Sequence, residues 1–121
     1  MTVLALDHLQ LAMPKGREAE ARAFYGTLLG LSELRKPPEL AARGGCWFAC
    51  GALQVHLGVE AEFNPAKKAH PAFLVGDVKQ MEAKVRAAGC PITTDAPAQG
   101  RERFFTTDPF GNRIELIGRA P

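Results

Sequence analysis

His8, His70 and Glu115 are the side chains of this 121-residue chain best suited to hold a divalent cation, and their placement is repetitive. His8 stands in DHLQLAMP and Gln54 in ALQVHLG; His70 stands in AHPAFLVGDV and Glu115 in NRIELIG. From 8 to 54 is 46 positions and from 70 to 115 is 45. A duplicated unit folded about a pseudo-two-fold axis would carry all four side chains toward one centre. Two imidazoles and one carboxylate leave coordination positions open, as a catalytic rather than a structural metal site requires. A substrate with two adjacent oxygens could chelate such an ion, which would stabilise an enediolate-like anion and ease removal of a neighbouring proton.

His56 is the third histidine. It shares strand parity with Gln54, so it faces the same way, but the residue two beyond Glu115 is Ile117, and the repeat therefore gives no reason to read His56 as a ligand. Three roles stay open for it: a hydrogen-bonded wall residue, a general acid or base, or a ligand in place of Gln54. An amide at Gln54, where a carboxylate would serve, removes one negative charge and one base.

The elements that must position these residues follow from periodicity. Residues 3 to 12 alternate as a strand, with Leu9 and Leu11 on one face and His8 and Gln10 on the other. Arg17 to Leu29 reads as a helix, with Ala19, Ala23, Phe24 and Leu28 at helical spacing, a Glu18 to Arg22 pair outside and Gly30 at its end. Pro37-Pro38 and Gly44-Gly45 punctuate a short strand and a loop, and CWFACGALQVHLG reads as a hairpin through Gly51, with Trp47 and Phe48 pointing opposite ways. After Asn64-Pro65 a strand begins at about His70. Asp77 caps a helix bearing Val78, Met81, Val85 and Ala88, with Glu82 and Arg86 paired outside and Gly89 as its stop. Residues 91 to 94 form a short strand, and FFTTDPFGNRIELI two strands around a turn. Each half thus reads strand, helix and three strands, with the helix over the apolar face and the polar face curled into a cup.

Composition sets bounds. Length and 46% hydrophobic content suit a single domain at 1–121, with module one at about 1–60 and module two at about 67–121 sharing a core. Lys and Arg number 15 against 13 Asp and Glu, in dispersed groups, which argues against a nucleic-acid stripe. Arg35, Lys36, Arg43, Arg101 and Arg103 read as solvated loop charge, with attraction of an anionic substrate as the alternative. No apolar run approaches a membrane span and no secretory signal opens the chain, so the expected location is cytoplasmic. Cys46, Cys50 and Cys90 are expected to be reduced, small and apolar rather than ligands.

DHLQLAM, AFYGTLLGL, AHPAFLVGDV and DPFGNRIEL, in that order and across nearly the whole chain, resemble the successive signatures of the vicinal oxygen chelate superfamily, the glyoxalase, bleomycin-resistance and extradiol-dioxygenase group. The resemblance implies an α+β fold of two βαβββ modules related by a pseudo-two-fold, a curled mixed sheet forming a cup, a homodimer and a divalent metal ion (Ni, Mn, Zn or Fe). His8, Gln54, His70 and Glu115 match the four ligand positions; three-ligand members use those of His8, His70 and Glu115. The function expected is a metal-dependent lyase or isomerase acting on a small substrate with adjacent oxygens, with His56 and Glu115 as its catalytic groups. The alternatives are a non-haem Fe(II) dioxygenase and a non-catalytic protein that binds a drug or metabolite.

Overall fold

The computed structural model describes residues 1–121 and divides the chain into two compact units, Met1–Asn64 and Pro65–Pro121. The class is α+β, as expected, and each unit holds one four-stranded mixed sheet.

In the first unit β1 (His8–Met13) lies parallel to β4 (Leu53–Val59), which is antiparallel to β3 (Cys46–Cys50), which in turn pairs with β2 (Ser32–Leu34), giving the order β1-β4-β3-β2. Alternation sorts the side chains of β1: Leu11 and Met13 are buried, whereas His8 and Gln10 lie on the other face. The strand starts at His8 rather than at residue 3, and Val3, Leu4 and Leu6 ahead of it stay exposed.

Helix α1 (Glu18–Ala21) runs on as a π-helix over Arg22–Leu28. Wider turns, such as Leu29 N–H to the Phe24 carbonyl at 2.9 Å, let the adjacent Phe24 and Tyr25 both go inside. Tyr25 then meets Phe48 with ring centroids 5.8 Å apart. The expected Glu18 to Arg22 pair is replaced by longer-range contacts. Arg22 Nε donates to the Glu33 carboxylate at 2.9 Å, and Glu18 accepts from the Gly45 backbone N–H at 2.8 Å. The loop expected after β2 contains a short helix α2 (Pro38–Ala41), which Pro38 starts with its fixed φ and missing N–H.

In the second unit β5 (Ala72–Leu74) lies parallel to β8 (Arg113–Ile117), followed by antiparallel β7 (Arg103–Thr107) and β6 (Thr93–Thr94). The ladder opens at Ala72 and not at His70, because Pro71 has no N–H to give; its carbonyl accepts from Glu115 N–H at 3.0 Å. Helix α3 (Val78–Ala87) is capped as expected, Asp77 accepting from Gln80 N–H at 3.0 Å, with the Glu82 and Arg86 side chains 3.1 Å apart. Its Val85 is fully buried, as are Phe104, Ile114 and Leu116 of the sheet. No helix is long and apolar enough to cross a membrane.

Candidate functional site

Glu115 is the most constrained of the candidate residues. A buried network at the β7–β8 turn fixes the start of its strand: Asp108 Oδ1 accepts from the Phe110 and Asn112 backbone N–H groups, both at 2.9 Å, and Oδ2 from the Asn112 side chain at 2.9 Å. Asn112 Oδ1 accepts in turn from Ala66 N–H at 3.0 Å. Three residues further on, Glu115 is 5% exposed although it is a carboxylate, so it needs partners. Its Oε1 lies 2.8 Å from His70 Nε2, and its Oε2 lies 3.5 Å from Arg103, which also reaches Asp95 at 3.4 Å.

His70 Nδ1 lies 2.9 Å from the Lys68 carbonyl, which can only accept, so Nδ1 carries a proton and the ring presents Nε2 to Glu115. Both nitrogens thus face acceptors. A cation at Nε2 would satisfy the ring and the carboxylate together, and two donors about 2.1 Å from one ion lie roughly 3 Å apart, close to the 2.8 Å seen here. His70 and Glu115 are thus two donors of the type that bind a divalent ion, brought together in the second unit, whereas no group of three or more His, Cys, Asp or Glu side chains is assembled to hold one.

In the first unit His8 is held in the same manner. Its Nδ1 donates to the Asp7 carboxylate at 2.9 Å, which leaves the Nε2 lone pair outward. His56 is buried in a stack of three rings, with His8 on one side (centroids 4.3 Å, 18°) and Trp47 on the other (4.0 Å, 3°). Its Nε2 donates to Gln54 Oε1 at 2.9 Å, so Nδ1 is the accepting nitrogen. Burial, with the neighbouring His8 second, lowers the pKa of His56 below its usual 6.5. Lone pairs lie in the ring plane, and stacked rings do not aim them at a common point. His56 with Gln54 thus forms a hydrogen-bonded pair beside His8.

The ladders correct one expectation. Across the parallel pairs, His56 stands opposite Gln10 and Glu115 opposite Ala72, each two residues after its unit's histidine. Across the antiparallel pairs, His56 faces Trp47 and Glu115 faces Phe105. His56 is therefore the counterpart of Glu115, and Gln54 corresponds to Arg113. Interval and apolar flanking residues in the sequence instead match Gln54 with Glu115.

Sequence reasoning missed several members of the site. Arg103 was read as loop charge, yet its parity in β7 places it on the face of Phe105 and Glu115. Phe105 meets the edge of His70 at 5.3 Å and carries Arg113 over its face at 4.0 Å. Asp7, adjacent to His8, could have been found from the preference of ligand histidines for an oxygen partner. The cysteines are free, and burial pushes the Cys46 thiol up to about 11, in keeping with an unreactive apolar role.

Comparisons with known proteins agree with this architecture. The model of the Glyoxalase/Bleomycin resistance protein/Dioxygenase superfamily matches residues 5–116. A solved protein from Bacillus anthracis, described as of the glyoxalase family, is 46% identical over 98% of both chains, with a TM-score of 0.93. Lactoylglutathione lyase from Agrobacterium tumefaciens is 19% identical with a TM-score of 0.76, over 97% of this chain and 95% of its own. A glyoxalase/dioxygenase from Nostoc punctiforme is 23% identical with a TM-score of 0.77, over 100% and 99%. At those last two identities the likeness is one of fold. No curated protein matches the chain.

Proposed function

The chain belongs to the Glyoxalase/Bleomycin resistance protein/Dioxygenase superfamily, and from that premise we propose that it is a divalent-metal-dependent lyase or isomerase for a small substrate with adjacent oxygens. His8, His70 and Glu115 are the residues assigned to hold the ion in this reading. The observation that carries this reading is the shared tether of the two histidines: each has Nδ1 committed to a local oxygen, the Asp7 carboxylate or the Lys68 carbonyl, and each presents Nε2. A histidine packed only for structure has no need of that arrangement in both repeats.

When bound, the ion supplies Lewis acidity toward the two substrate oxygens. The remaining work falls to side chains of this chain. His56, its Nε2–H held by Gln54, has Nδ1 free to accept a proton from the substrate carbon, and the Trp47 and His8 rings fix its plane. Glu115 is the second catalytic group in this reading, with Arg103 3.5 Å from its Oε2. Gln54, expected from sequence as a fourth ligand, in this reading positions His56.

The test begins with elemental analysis of untagged protein. Metal-loaded protein is then assayed for isomerisation of hemithioacetals and for oxygen uptake with catechols. Metal content with isomerase or lyase turnover and no oxygen uptake is expected. Oxygen consumption would transfer the assignment to a dioxygenase, and absence of metal after supply at millimolar concentration would leave a binding protein.

We also propose a homodimer. Leu4 and Leu6 ahead of β1 and Leu74 in β5 are exposed at 94%, 68% and 61%, a large apolar display for a chain this size. Light scattering should return twice the chain mass; the mass of one chain would refute it.

A further inference from the structure

Beside Glu115, the second unit has a cleft of about 220 Å³ whose lining includes Lys67, Thr93, Phe105, Thr107 and Arg113. We propose that this cleft takes the oxyanion group of the substrate, a carboxylate or a phosphate, on Arg113 with support from Lys67. The inference rests on the metal-dependent reading above and names the class of substrate it would serve.

Charge balance points to the ligand. Of the cations near Phe105, Arg103 is neutralised by Asp95 and Glu115, whereas the Arg113 guanidinium rests on the Phe105 ring at 4.0 Å and no carboxylate engages it or Lys67. A guanidinium stacked on an aromatic face keeps its N–H edge free, and that planar edge matches a carboxylate or phosphate in a bidentate manner.

The two cations are also held together by the backbone. Ala66, next to Lys67, donates its N–H to Asn112 Oδ1 at 3.0 Å and accepts at its carbonyl from Arg113 N–H at 2.8 Å. Lys67 is thereby tied to the start of β8, beside Arg113. Arg113 and Glu115 are two apart on one strand and share a face, which sets their Cα atoms roughly 7 Å apart. An oxyanion on Arg113 would direct the next few atoms of a small molecule toward Glu115 and His70, so the substrate expected is a short organic acid or phosphate ester bearing adjacent oxygens.

The test uses metal-stripped protein and calorimetric titration with inorganic phosphate, with malonate and with ethylene glycol as the neutral control. Wild-type protein should bind at least one anion and not the glycol, and the tighter anion identifies the group. Arg113→Gln should weaken binding by about tenfold or more, with Arg113→Lys in between, as loss of a bidentate charged contact requires. Metal uptake by Arg113→Gln should match wild type, which separates failure of this inference from failure of the metal reading. No binding of either anion by wild type, or unchanged affinity in Arg113→Gln, would overturn it. Should Arg113→Gln not fold, Lys67→Ala, at an exposed position outside the ladders, should lose affinity several-fold; full affinity there would likewise refute the proposal.

Discussion

His56 stands on the same rung of its ladder as Glu115 does of the other, each paired with the residue two places after its unit's histidine, Gln10 and Ala72. The repeated fold thus offers one slot twice and fills it differently. One copy is a carboxylate engaged with histidine and arginine, the other an imidazole stacked between two rings. In the reading proposed here this difference divides metal binding from proton handling.

Asp7→Asn should weaken metal affinity by about tenfold while leaving the fold intact, because the Asp7 side chain is exposed and its carboxylate is hydrogen-bonded to His8 Nδ1. Titration of metal into the stripped variant checks this. Unaltered affinity would remove Asp7 as an orienting partner.

Trp47 is the one tryptophan of the chain, and it lies flat on His56. Protonation of His56 should therefore quench its fluorescence. The pKa of His56 is lowered by burial and by His8, so the midpoint should fall below 6.5, with the neutral ring present above it. In His56→Ala the transition should vanish; persistence of the same midpoint would assign it to another group.

Glu18 has its pKa lowered from the usual 4.5, first by the hydrogen bond from Gly45 N–H. A depressed folded-state value means that this carboxylate stabilises the protein above its unfolded pKa, and that the contribution is lost as pH falls through the folded one. Glu18→Gln should lower the melting temperature at pH 7, and the gap to wild type should close in acid below that range. A gap constant from pH 7 to pH 3 would contradict the role given to Glu18.

Asp108→Ala removes the acceptor of three buried hydrogen bonds. The expected loss is roughly 2–4 kcal/mol, the range for leaving buried donors unpaired. Urea unfolding measures it, and a loss below about 1 kcal/mol would show that the turn holds without this network.

Much of this was legible in the sequence. Alternation in HLQLAM, the Asp77 cap and the DPFGN turn sufficed for the α+β class, and they follow from local rules of pleat, capping and turn chemistry. The register was harder to read. Between the histidine and the buried first core residue of the hairpin, the first unit runs from His8 to Cys46 and the second from His70 to Phe104, 38 positions against 34; from there to the slot residue the counts are 10 and 11. The insertion is four positions longer and the hairpin one shorter, so the first unit's interval exceeds the second's by three, and interval counting selected Gln54 two places too early. The π-helical turn that admits both Phe24 and Tyr25 was hidden for a similar reason, since spacing arguments assume 3.6 residues per turn.

The most direct test of the central claim is titration of Ni(II) or Zn(II) into metal-stripped wild-type protein and into His8→Ala, His70→Ala, Glu115→Gln and His56→Ala. Saturable binding by wild type, lost in the first three variants and retained in His56→Ala, is the predicted result. No binding by wild type, or loss in His56→Ala equal to that in His70→Ala, would contradict the assignment of His8, His70 and Glu115 as the donors and His56 as the proton-handling group.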